Sequence, residues 1–328
     1  MVWSKFTKEN LKLFNKYKYS LNKDNTLLEY LKNERSNIIN IIGKKPISIS
    51  ISKLDKYDDI YKYVKSNFVD RENLLKDMKS LNIIYQIKWN DNMIIINTEN
   101  EIDLNNRIKI IVYIIEYLKE KTQNYKNVKI YLVLSRLEKL FPKDNKVMGV
   151  RNANSGYNDS RNDIIFIWRK EEFEKVLFHE LIHNFDLDKR NDHVHDIINT
   201  EGPHLYFEAI TDFQGIIYHI IYLSIMTQRK IKNLLEYELG FIRNQAMNLN
   251  DIWELGEWKK SPKIMIEQKT AAFSYYILKY LIFEYFLNNN INLSDDYKII
   301  LNNVLKNGFI IVPFIKMESS RMTLLQLK

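Results

Sequence analysis

The stretch from Leu205 to Met226 is the densest apolar segment of the chain, yet it carries Glu208, Asp212, Gln214 and His219. A membrane span would have to bury all four in hydrocarbon, so the segment reads as the buried helix of a soluble protein. At 100° per residue, His204, Glu208, Asp212, Gly215 and His219 fall on one narrow stripe of that helix. A stripe of carboxylates and imidazoles is expensive to bury unless something satisfies it. A cation held by a neighbouring helix would do so.

The sequence supplies such a helix. His179-Glu180-Leu181-Ile182-His183 is an H-E-x-x-H motif. Its two histidines lie one turn apart on one face, within reach of a single metal ion. Glu180 sits beside them, placed to hydrogen-bond a metal-bound water rather than to ligate. Leu177, Phe178, Leu181, Ile182 and Phe185 cover the opposite side, which anchors the helix in a core and turns its polar strip toward a cleft. A catalytic zinc site takes three protein ligands and keeps a fourth position for water. Glu208, with Asp212 one turn later, is the preferred third ligand. His204, Asp186, Asp188 and the pair His193 and His195 are the alternatives. The continuation HNFDLDK lacks the Gly and third His of the metzincin pattern.

Composition narrows what else the chain can be. Its 328 residues are 45% hydrophobic with only 8 Gly and 5 Pro, which excludes a disordered or collagen-like chain. Cys is 0, which excludes disulfides, Cys-ligated zinc, iron–sulfur clusters and thiol nucleophiles. The formal charge is +8. The wealth of Asn, Ile, Lys and Tyr matches A/T-rich codons, and the cations are dispersed, so the charge gives no support to a nucleic-acid partner. The start, MVWSKFTKEN, lacks the apolar region of a signal peptide. A cytoplasmic protein without membrane association is expected, with a peptide or protein as its partner.

The hydropathy pattern predicts an α+β fold in three units: a small α/β unit over 1–100, a sheet with the motif helix over 101–200, and a helical unit over 201–328. A helix is expected over Leu11–Lys32 and a half-buried strand over Pro46–Leu54. A hairpin is expected from Ile83–Trp89 and Met93–Ile96 around Asn90-Asp91-Asn92. Asp103 could cap a helix running to about Glu120 that buries Ile108, Ile111, Val112, Ile115 and Leu118. Val128–Leu134 and Asp163–Trp168 read as strands. Helices are expected at about 171–185, 203–226, 228–247, 266–288 and 294–306.

Taken together, His179, Glu180, His183, Glu208 and Asp212 resemble the gluzincin metallopeptidases, whose H-E-x-x-H is followed by a ligand Glu on a second helix and an acidic residue four positions later. The resemblance implies a zincin-like fold and one Zn2+ per chain, held by His179, His183 and Glu208. It implies Glu180 as general base and Asp212 as the hydrogen-bond partner of a ligand imidazole, His179 by preference. It further implies a Tyr or His on the helical half as donor to the developing oxyanion. Tyr275 and Tyr276 in AAFSYYILKY are the candidates, with His219 behind them. Phe207 stands where several gluzincins carry Asn. In these families an edge strand before the motif helix pairs with an extended substrate. The strand Ile164–Trp168 directly precedes that helix here, and Asn152–Tyr157, with Asn154 and Gly156, would form the rim. A plain turn containing Gly156 is the alternative. NSGY, IFIWRKEEFEKVLFHELIHNFDLD, EAITDF and SYYILK also look like uncharacterised predicted metallopeptidases of large DNA viruses, over about residues 150–280. Two other readings are a zincin-fold binding protein without turnover, against which the intact Glu180 speaks, and a DNA-associated repair protease, which lacks its basic patch and Cys-rich finger.

Overall fold

A computed structural model describes residues 2–22, 25–101, 105–143, 146–188, 200–201, 205–257, 266–289 and 297–328. Asp103, His193, His195 and His204 lie outside the described residues.

The fold is mixed α and β, built on one six-stranded sheet. Its strands are β1 (Ser50–Leu54), β2 (Ile83–Trp89), β3 (Asn92–Thr98), β4 (Lys129–Val133), β5 (Gly156–Asp159) and β6 (Ile164–Ile167), in the order β1-β2-β3-β4-β6-β5. β2 and β3 form the expected hairpin, with Trp89 opposite Asn92 and Asn90 in the left-handed conformation that the tight turn requires. β3, β4 and β6 run parallel, while β5 lies antiparallel on β6 as an edge. The expected boundary near residue 100 falls between β3 and β4, and the sheet continues across it.

Parallel strands at the centre of a sheet are covered on both faces, which is why these runs are apolar without alternation. Ile94, Ile96, Ile130, Leu132, Ile165 and Ile167 face the main helical core. Ile95, Tyr131, Val133, Ile164, Phe166 and Trp168 face a second layer that includes Ile60, Val64, Leu74 and Met78. That layer is built from short helical turns and α3 (Arg71–Asp77).

The helical side comprises α1 (Lys5–Phe14), α2 (Thr26–Lys44), α4 (Asn105–Thr122), α5 (Val150–Ala153), α6 (Phe173–Asn184), α7 (Phe207–Thr227), α8 (Ile231–Trp253), α9 (Lys279–Asn288) and α10 (Tyr297–Asn307). α7 is long and apolar enough to cross a membrane, but Glu208–Ser224, most of its length, is buried inside the protein. It packs on α6, α4, α2, α8 and α9, so it is the axle of this half.

Several expected elements differ in detail. Leu11–Lys32 is two helices, because Asn25 starts α2 afresh by accepting the amide of Leu28 at 3.2 Å. β1 is short and largely exposed, as an outermost strand with a neighbour on one side only. The strand before the motif helix, β6, is interior, and β5 takes the edge position. The span 266–288 opens on a short strand, Ile266–Glu267, which pairs with Thr200–Glu201. A π-helical turn, Ser274–Leu278, then leads into α9.

Residues 320–327 adopt no regular secondary structure and are all buried. Buried backbone amides need acceptors, and side chains supply them. Glu172 Oε1 accepts from the amides of Met322 and Thr323 at 2.5 and 2.6 Å, and the Glu238 carboxylate accepts from Leu324 and Leu325 at 3.1 and 3.3 Å. Glu172 immediately precedes α6, adopts φ +61°, and pairs through Oε2 with the buried ammonium of Lys139 at 2.9 Å.

Candidate metal centre

Every residue of α6 is buried, including His179, Glu180 and His183. The helix is pressed against α7 at Gly215. A Cβ there would lie 3.2 Å from the Cα and N of His179, tighter than ordinary contact. Glycine therefore brings the two helices close enough for side chains of one to meet imidazoles of the other. Gly156 does the same on the sheet side, since a Cβ there would lie 2.8 Å from Val176 Cγ1 and 3.0 Å from Glu180 Oε1.

The ligand atoms of His179, Glu180 and His183 lie within 4.8 Å of one another, and this buried group could hold a metal ion. Glu208 Oε2 faces both imidazoles, 3.1 Å from His179 Nε2 and 3.3 Å from His183 Nε2. Three atoms around a tetrahedral zinc, each about 2.0–2.1 Å from it, would stand about 3.4 Å apart. The two separations from Glu208 Oε2 are close to that spacing.

Both remaining imidazole nitrogens are engaged. His179 Nδ1 lies 3.0 Å from Asp212 Oδ1, and His183 Nδ1 lies 2.6 Å from Asp188 Oδ2. A carboxylate oxygen accepts from the Nδ1–H beside it, so in the neutral imidazole Nε2 is the lone-pair donor. Asp188, an alternative third ligand from sequence, instead orients His183. Asp186 is not brought into the cluster; its backbone takes φ +53° just after α6.

The buried charges favour a cation here. Glu180, Asp188, Glu208 and Asp212 are buried carboxylates, and among the described residues the buried ammoniums of Lys175 and Lys279 meet Asp212. A cation held among these side chains would offset negative charge in a region shielded from water. Without an ion the imidazoles take up that role. Burial opposes charge on His183, but Glu208 and Asp188 outweigh it and push its pKa up to about 10. His179 is likewise raised, by Asp212 and Glu208 against burial. Protons and a metal thus compete for the same lone pairs. Burial raises the Glu180 carboxyl, with the histidine charges pulling against it.

A cleft of about 390 Å³ opens onto the cluster, lined among others by Phe68, Asn154, Gly156, Phe207, Thr270 and Tyr275. Asn154 and Gly156 both line this cleft, whereas Asn152 of the expected rim does not. Asn154 Oδ1 accepts from the Thr270 hydroxyl at 2.5 Å, and Asn158 Nδ2 donates to the carbonyl of Glu180 at 3.3 Å, which ties β5 to α6.

Of the two candidate tyrosines, only Tyr275 enters the cleft, with its ring centroid 5.8 Å from that of His179. Burial and the Glu208 and Glu180 charges raise its pKa well above the ordinary value, so it keeps its proton as a donor. Tyr276 does not reach the site. Its hydroxyl donates to the carbonyl of Ser320 at 2.5 Å, and its ring packs on Phe141.

His219 is also not at the cluster. Eleven residues separate it from Glu208, about 16 Å along the helix, and it lies with Nδ1 3.5 Å from the Thr323 hydroxyl, stacked on Tyr222. Burial, helped by the nearby Lys175 charge, lowers its pKa to about 3. Between pH 6.5 and about 3 the unfolded chain therefore binds a proton at this position that the folded chain does not, so stability falls as pH drops through that window. His219→Leu is expected to flatten the loss by about 1.4 kcal/mol per pH unit. Denaturation of both proteins at pH 7 and pH 4.5 checks this, and parallel losses would show that His219 is not responsible.

No protein-family model, curated protein or solved structure matches this chain.

Proposed function

We propose that the protein is a zinc-dependent peptidase of the gluzincin kind, with a zincin-like fold and one zinc held by His179, His183 and Glu208. The observation that carries this reading is the position of Glu208 Oε2, 3.1 and 3.3 Å from the two Nε2 atoms of an H-E-x-x-H helix. Zinc, when bound, acidifies its water and polarises a peptide carbonyl.

The protein's own groups supply the rest. Glu180, buried and raised in pKa, accepts the proton of the attacking water and passes it to the leaving amine. Asp212 and Asp188 keep the imidazoles turned so that both Nε2 lone pairs point inward. Tyr275 donates to the carbonyl oxygen as negative charge develops on it. The outer edge of β5, the last strand of the sheet, with Gly156 close to Glu180, offers backbone groups to an extended peptide. The substrate class is accordingly peptide or protein.

Metal content and zinc titration test the reading. Wild-type protein should hold close to one zinc per chain. Glu208→Ala should weaken zinc binding by more than the about 10–100-fold that removal of an outer partner costs. A wild-type chain that takes up no zinc, or a Glu208→Ala chain that binds as well as wild type, overturns the ligand set.

A further inference from the structure

Two buried lysines beside a dication site are unexpected. Each ammonium repels the ion and costs several kcal/mol to desolvate unless it is paired. Lys175 comes from α6, one turn before His179, and Lys279 begins α9. Both are 1% exposed and both converge on Asp212 of α7, which is 0% exposed. Asp212 Oδ1 accepts from the Lys175 ammonium and faces His179 Nδ1 at 3.0 Å, while Oδ2 accepts from the Lys279 ammonium at 2.6 Å. A carboxylate held by three donors on two helices, with both oxygens engaged, cannot turn about its own axis without breaking one of them. Asp188, behind His183, accepts from the hydroxyl of Thr211 at 3.3 Å.

We propose that Lys175 and Lys279 are positioning residues that clamp Asp212, and through it hold the His179 ring in the orientation a bound divalent ion requires. The proposal rests on the zinc-peptidase reading of the site. It draws α6, α7 and α9 together at one carboxylate, so the site is shaped before an ion arrives. Geometry and charge here predict opposite signs. If the lysines acted only as charges near the metal, removing one would tighten zinc binding. If they act by holding Asp212, removing one weakens it.

The experiment is zinc titration of the full chain against a chromophoric chelator. Wild type is compared with Lys279→Met, Lys279→Arg, Asp212→Asn and the double variant Lys279→Met/Asp212→Asn, and the unfolding midpoint of each metal-free protein is recorded. Lys279→Met is expected to bind zinc about 10–100-fold more weakly. Lys279→Arg should recover most of that loss. In the Asp212→Asn background the lysine substitution should add little, because its effect runs through the carboxylate. Zinc binding by Lys279→Met equal to or tighter than wild type overturns the clamp, whatever the midpoint does. A full loss repeated in the Asp212→Asn background overturns it too. Should the methionine variant not fold, Lys279→Gln, which keeps a donor but not the charge, is read by the same signs. Wild-type protein that takes up no zinc sinks the peptidase reading and the clamp with it, whereas zinc-binding wild type with an unaffected Lys279 variant sinks the clamp alone.

Discussion

Glu180→Gln is expected to lower the turnover of a cleaved peptide by about 10²–10⁴-fold, the usual contribution of a positioned general base, while zinc content stays at that of the wild type. The argument is geometric. Glu180 is buried on the motif helix, with its Oε1 against Gly156 at the cleft edge, and Glu208 rather than Glu180 faces both Nε2 atoms. Glutamine fills the same volume beside Gly156 but cannot take a proton from water. Initial rates at saturating peptide, together with metal analysis of the same samples, check the prediction. Unchanged turnover would remove Glu180 from the chemistry, and loss of the metal would make it a ligand instead of a base.

The largest effect on stability is expected from Glu172→Ala. Its carboxylate holds the Lys139 ammonium at 2.9 Å and the amides of Met322 and Thr323 at 2.5 and 2.6 Å, and it is 0% exposed. Removing one partner of a buried ion pair costs about 3–5 kcal/mol, and each orphaned amide adds about 1–3 kcal/mol. Against a total stability of about 5–15 kcal/mol, the variant should be largely unfolded or shifted to a far lower denaturant midpoint. Glu172→Gln, which keeps acceptor oxygen for the amides, should lose less. Equal midpoints for wild type and Glu172→Ala would mean that neither the ion pair nor the amide contacts matter as drawn.

Local periodicity carried much of the fold. The β2–β3 hairpin, β4, and the helix burying Ile108, Ile111, Val112, Ile115 and Leu118 follow from patterns within a few residues. The break between α1 and α2 was also readable, since Asn25 before Thr26-Leu27-Leu28 is a cap signal, but continuous apolar spacing masked it. The order of β5 and β6 was not readable, because which strand takes an edge depends on pairings distant in sequence.

Within the site, the i and i+4 spacing of His179 with His183 and of Glu208 with Asp212 put the four residues on two helix faces, and the structure brings those faces together. Tyr275 and Tyr276 are adjacent in a π-helical turn, where the 100° spacing of the α-helix does not hold, so no sequence pattern could say which faces the cleft. His219 lies on the expected stripe but three turns too far along it. Asp188 stood among the possible ligands, and only coordinates separate a ligand from its support. Lys175 and Lys279 carry a fainter signal: lysines inside the apolar runs EKVLF and LKYLIF point to a buried counter-ion.

The footing of α6 has a consequence for the order in which the molecule can be completed. The contacts from Glu172 to Met322 and Thr323 span 150 and 151 residues. A growing polypeptide therefore carries the whole His179–His183 segment long before the donors beneath that helix have been synthesised. Closing such distant loops is slow relative to local folding. The footing of the helix that carries His179, Glu180 and His183 would accordingly be completed late, once the segment around residues 320–325 has been made and seated.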